Sequence, residues 1–173
     1  MSNSPVSVYL LDTNIASALW DLNHPLHAQA RAFVASLGED RVYISRFVIG
    51  EILYGHKVFA DSDLARRKII EERMNVFPLV ADLDKHTTEP YSNIRAALFA
   101  KFGDRDRRGR MKQKRPEMLV DKTTAKQLQI QENDLWMAAI AVRYNMALIS
   151  DDKMERIKEV WPAFQLVRWK SYL

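Results

Sequence analysis

Val6-Ser7-Val8-Tyr9-Leu10-Leu11-Asp12-Thr13-Asn14 decides the fold: a short apolar, β-favouring run ends in an acid followed by two helix-capping residue types. An almost uninterrupted apolar run reads as a strand buried on both faces, which is the habit of parallel strands. The apolar-periodic residues after Asn14 then open a helix, so the order is strand, acid, helix. The same order recurs. Val42-Tyr43-Ile44 is a second short strand, and Ser45 opens a helix through Glu51 toward Phe59. Met146-Ala147-Leu148-Ile149 is a third strand, ending in Ser150-Asp151-Asp152 before a short helix to about Val160. Phe164 to Trp169 forms a last strand.

Between these lie helical segments. Pro25 to Leu37 is closed by Gly38, while Leu64 to Val76 and Thr87 to Phe102 carry apolar residues at helical spacing, the latter stopped by Gly103. Glu132-Asn133-Asp134 caps a helix from Leu135 to Tyr144 whose alanines permit close packing. Strands alternating with helices of these lengths predict a three-layer α/β/α domain with a mostly parallel central sheet. At 173 residues the chain fits one domain, spanning 1–173 with a basic insertion around 101–116.

The absence of Cys excludes disulfide frameworks, thiol nucleophiles and cysteine zinc sites, and fits a reducing cytoplasm. No basic leader precedes the first strand and no apolar run reaches membrane-span length, so a cytoplasmic protein without a membrane partner is expected. The net charge of +4 is unevenly spread. Between Lys101 and Arg115 eight basic residues outnumber two acidic ones, a local +6 that leaves the remainder slightly acidic at −2. That segment has little apolar periodicity, with Gly109 and Pro116, and reads as an exposed loop or a weakly ordered extension, order resuming near Thr123.

In open α/β sheets, ligands gather beyond the carboxyl ends of the strands. Asp12 and Asp152 fall there. Asp134 sits at a helix start, and Glu51 lies about two turns into a helix that follows a strand directly. Convergence of such acids raises their pKa values unless a divalent cation compensates. Oxygen-only ligands suit Mg²⁺ or Mn²⁺, the ions of phosphodiester hydrolysis.

Four strings make this specific: Leu11-Asp12-Thr13-Asn14, Ser45 to Gly55 around Glu51, Asn133-Asp134 to Ala141, and Leu148-Ile149-Ser150-Asp151-Asp152. In order and separation they resemble the signature blocks of PIN domains, most closely the VapC-like toxins of toxin–antitoxin pairs. The resemblance covers about Val6 to Val167. It implies Mg²⁺- or Mn²⁺-dependent endonucleolytic cleavage of RNA, homodimerisation, and a cognate antitoxin that occupies the active-site groove. Carried over by position, it makes Asp12, Glu51, Asp134 and Asp152 the catalytic, metal-holding acids. The block pattern places its last acid second after the hydroxyl residue, which favours Asp152 over Asp151. Thr13, Asn14 and Ser150 would orient the carboxylates or the scissile phosphate.

Singly, each acid reads as an ordinary cap, surface helix residue or turn; the combination carries the reading. His24, His27, His56 and His86 lack metal-site spacing, and the four tryptophans read as core or dimer contacts. Arg105, Arg107, Arg108, Arg110, Lys112, Lys114 and Arg115 are candidates for RNA phosphate contacts, offsetting the repulsion between an acidic cleft and a polyanion. Cleavage of DNA or structured flaps, and non-catalytic RNA binding through the basic segment, are the competing functions.

Overall fold

The computed structural model describes residues 8–38, 41–58, 63–79 and 84–172. Val6 and Ser7 of the expected first strand, and Phe59 at the expected end of the helix after Ser45, lie outside them. The described residues divide into two compact units, one drawn from 1–82, 146–151 and 167–173 and the other from 83–145 and 152–166.

In the first unit β1 (Tyr9–Leu11) lies between β2 (Val42–Tyr43) and β3 (Ala147–Ile149), parallel to both, and Val167, the last residue of β4 (Gln165–Val167), accepts from the Ser150 N–H at 3.1 Å. Tyr9 pairs with Val42 and Ala147, and Leu11 pairs with Ile149. Leu10 and Leu11 have no exposed surface, as the apolar run requires. Each such burial contributes about 1.5–3 kcal/mol. Ile44 continues the β2 direction by bridging in parallel to Leu79.

Among the described residues, this unit holds the α-helices α1 (Thr13–Trp20), α2 (His27–Leu37), α3 (Arg46–Val58) and α4 (Leu64–Met74). α1 packs against the other three. Its last residue, Trp20, is 1% exposed and meets Phe77 edge-on, ring centroids 5.3 Å apart. The next residue, Asp21, is buried and gripped by the Nε and NH2 groups of Arg66 on α4. Gly38 ends α2 at φ +88°, a conformation glycine adopts without strain.

In the second unit α5 (Lys85–Phe102) packs against α6 (Glu132–Arg143) and α7 (Glu155–Val160). α5 starts two residues earlier than its apolar pattern indicates because Asp84 caps it, accepting from the backbone N–H groups of His86 at 2.9 Å and Thr87 at 2.8 Å. Gly103 ends it at a close approach: a Cβ there would meet the Phe99 carbonyl oxygen at 2.6 Å.

Of the two expectations for the segment after Gly103, the exposed loop holds and the weakly ordered extension does not. Residues 104–113 fold back as an antiparallel turn with a bridge between Arg105 and Met111. A 3-10 turn at Pro116–Met118 and a second antiparallel bridge, Val120 to Gln127, restore order before Thr123. The readable signal was Asp106-Arg-Arg-Gly109, an acid and a glycine at the first and fourth places of a tight turn.

Alternating α and β elements about a parallel sheet match the three-layer α/β/α arrangement expected from the sequence. Among the described residues no helix is long and apolar enough to cross a membrane.

Candidate active site

β1 delivers Asp12 to the start of α1. Its N–H still follows the ladder, donating to the Ile149 carbonyl at 3.0 Å, while its φ of −85° and ψ of 166° make it the N-cap. Asp12 Oδ1 accepts from the Thr13 N–H at 2.8 Å. Oδ2 accepts from the Ser150 hydroxyl at 2.5 Å and the Asn14 amide at 3.2 Å. Asn14 Nδ2 also lies 3.2 Å from Ser150 Oγ, and its Oδ1 accepts from the indole N–H of Trp169 at 3.2 Å. The indole thereby fixes which way the Asn14 amide faces, and the amide fixes Asp12. Asp12 is only 5% exposed, so its orientation is set by these donors rather than by solvent.

Glu51 reaches the same place from α3. That helix begins after buried Ser45, whose hydroxyl oxygen accepts from the Val48 N–H at 3.3 Å. Glu51 is half-buried, and a carboxylate oxygen accepts from the Thr13 hydroxyl. One residue thus binds two carboxylates, through its backbone to Asp12 and its side chain to Glu51.

Asp134 belongs to the second unit, and its role at the helix differs from expectation. The cap of α6 is Gln131; Asp134 is the third helical residue and closes a capping box by accepting from the Gln131 N–H at 2.7 Å. The start of α6 is further fastened through Glu132, whose carboxylate takes donors from Arg95 and the Tyr91 hydroxyl. The Tyr91 ring stacks on Trp136 with centroids 3.7 Å apart and planes 7° off parallel. Burial and the Glu132 carboxylate raise the Tyr91 hydroxyl above its ordinary pKa, so it remains a donor. Sequence reasoning saw Glu132 only as a capping residue and missed its Arg95 and Tyr91 partners.

Asp152, also in the second unit, is exposed in the turn before α7, its carbonyl accepting from the Met154 N–H at 2.8 Å. Asp151, in the first unit, is engaged with Lys170: Oδ1 accepts from the backbone N–H at 3.3 Å and Oδ2 lies 3.3 Å from Nζ. The first unit therefore gathers Asp12, Glu51, Thr13, Asn14 and Ser150, while Asp134 and Asp152 lie in the second. Among the described residues, no group of three or more His, Asp and Glu side chains is assembled as a metal cluster. The gathered donors are all oxygen, with two carboxylates joined at Thr13, a set chemically suited to a hard divalent cation.

The model of the PIN domain family matches residues 9–160, and the chain belongs to that family. No curated protein matches it in sequence. Similar solved structures include VapBC2 from Rickettsia felis bound to a DNA fragment from their promoter, at 20% identity and TM-score 0.63, over 92% of this chain and 97% of that one. VapBC-1 from nontypeable Haemophilus influenzae is similar at 21% identity and TM-score 0.61, over 94% and 98%. FitAcB from Neisseria gonorrhoeae is similar at 17% identity and TM-score 0.61, over 94% and 99%. At these identities the likeness is one of fold.

Proposed function

We propose that this chain is a Mg²⁺- or Mn²⁺-dependent endoribonuclease and the toxin of a toxin–antitoxin pair. The observation that carries the reading is the joining of Asp12 and Glu51 through Thr13 at the carboxyl end of β1, in a PIN family chain. Two adjacent carboxylates repel each other, and a hard cation is the ordinary remedy. Asp12, Glu51, Asp134 and Asp152 are the residues that would hold it; when bound, it supplies charge compensation and polarises a phosphate oxygen. Asn14 and Ser150 hold Asp12 in one orientation, and Thr13 does the same for Glu51. The Gln131 N–H holds one oxygen of Asp134. Engagement of Asp151 by Lys170 supports Asp152 as the fourth acid. The partners this reading implies are an RNA substrate, a protein antitoxin and a second copy of the chain, in the cytoplasm.

The test is cleavage of cellular RNA and of matched RNA and DNA strands by the purified chain with Mn²⁺, with Asp12→Asn as comparator. RNA cleavage by the parent and its loss in the variant is the expected result. Equal cleavage by both proteins would overturn the assignment, and a preference for DNA would replace the substrate.

A further inference from the structure

Outside the acidic site, the strongest concentration of charge is the antiparallel turn of residues 104–113, which carries five basic residues and two acids. It is built, not loose. At its root Asp104 and Gln113 exchange hydrogen bonds: the Asp104 N–H donates to the Gln113 amide oxygen at 2.8 Å and the Gln113 amide donates to Asp104 Oδ2 at 3.1 Å. The Lys112 N–H donates to the Asp104 carbonyl at 2.9 Å. At its tip the Gly109 N–H donates to the Asp106 carbonyl at 2.9 Å, and Gly109 sits at φ +76°, closing the turn in the left-handed region.

The Asp106 side chain is the clasp. Its Oδ1 accepts from the N–H groups of Arg108 at 2.8 Å and Arg110 at 2.9 Å, while Oδ2 accepts from Arg110 Nε at 2.9 Å. These donors, the Arg110 backbone first, hold the Asp106 carboxyl below the usual carboxylate range. Arg105 in turn donates to the Gly109 carbonyl at 2.7 Å. Arg107 and Arg108, between the clasp and Gly109, are exposed and make no ion pair among the described residues; nor do Lys112, Lys114 and Arg115.

We infer that residues 104–113 form a preformed finger that binds backbone phosphates of the RNA substrate through Arg107 and Arg108, with Asp106 as the positioning residue. The inference rests on the ribonuclease reading. A carboxylate beside a phosphate-binding tip ordinarily weakens polyanion binding by repulsion. Here it strengthens binding, because ordering the tip beforehand removes the entropy cost from association. Arg110 is spent on the clasp and Arg105 on the turn, leaving Arg107 and Arg108 for phosphate.

The test is fluorescence anisotropy of a labelled single-stranded RNA with the full chain in EDTA, over a salt series. Asp106→Ala removes both the charge and the acceptors, and is expected to weaken binding several-fold. Asp106→Asn keeps an oxygen for the two N–H groups while removing the charge, and is expected to bind as tightly as the parent or more tightly. Joint replacement of Arg107 and Arg108 by Gln is expected to flatten the slope of log K against log salt by about 1.4, or roughly 0.7 for each single-strand phosphate contact. Binding by Asp106→Ala equal to or tighter than the parent, or an unchanged salt slope in the double variant, would overturn the inference. So would unaltered RNA binding alongside weakened binding of polyglutamate, which would give the finger to an acidic protein. Because no strand is cut in EDTA, failure of the ribonuclease reading shows separately, in the Mn²⁺ cleavage assay.

Discussion

Thr13 links Asp12 and Glu51, donating its backbone N–H to one carboxylate and its hydroxyl to the other. The two acids are 39 positions apart in sequence and arrive on different elements, yet a single residue donates to both. Thr13→Val keeps the shape and the backbone donor but removes the hydroxyl. Cleavage is expected to fall about 10–100-fold, as for lost supports of ligand side chains. Stability should change by no more than about 1.5 kcal/mol, and Thr13→Ser should restore activity. Cleavage rates and denaturant melts on the three proteins check this.

Asp134 closes the capping box of α6, and in the proposed function it also holds the metal; one substitution separates the two. Asp134→Asn leaves a side-chain oxygen for the Gln131 N–H, so α6 should lose about 0.5–1 kcal/mol at most. RNA cleavage, by contrast, should drop to background. A variant that cleaves like the parent would show that this acid serves the helix alone.

Asp21 gives the fold a pH dependence with a definite sign. The side-chain hydrogen bonds from Arg66 hold its carboxyl below the ordinary range. A carboxyl with a lower pKa folded than unfolded adds stability that is full above its unfolded value of about 3.9 and is lost as pH falls through the folded value. Asp21→Asn should therefore lower Tm at pH 6, by the equivalent of about 1 kcal/mol because Arg66 is substantially exposed to solvent. The gap between the two proteins should narrow as the pH is taken from 5 toward 3. A gap that stays constant across that range would show that ionisation of Asp21 contributes nothing.

Two glycines should respond oppositely to the same change. Gly55, inside α3, has nothing within 4 Å of where a Cβ would stand, so Gly55→Ala should stabilise by about 0.8–1 kcal/mol. At Gly103 the Cβ would stand 2.6 Å from a backbone oxygen and 3.0 Å from Met111 Sδ, so Gly103→Ala should destabilise. Chemical denaturation of both variants decides, and a stabilised Gly103→Ala would contradict the described helix end.

Much of the first unit was legible because its signals are local. A short apolar run can only be a buried strand here, and Asp12, Ser45 and Gly38 mark helix ends by chemistry that acts within a turn. The cap of α6 was misplaced by three residues because Gln131 has weak capping preference, whereas Asp134 has a strong one that it exercises here from inside the helix. Long-range partners left no trace at all. Nothing near Asn14 announces Trp169, and nothing near Glu132 announces Arg95; only the general need of a buried indole N–H or a carboxylate for a partner could have prompted the search. The turn at Asp106 was overshadowed by the charge around it. Its Asp and Gly were readable, but eight cations in the surrounding segment drew attention to electrostatics instead of backbone geometry.

The contacts that set Asp12 come from far along the chain: Ser150 is 138 positions away, and Trp169 acts through Asn14 across 155. A ribosome makes Asp12 early, but its surroundings cannot close until residue 169 has emerged and folded back. A nascent chain still lacking that residue carries Asp12 without the indole that orients Asn14, so on the proposed reading competence arrives late in synthesis. The same wiring releases Asp12 when the fold loosens around Ser150 or Trp169, so on the proposed reading the chain's two ends share control of one carboxylate.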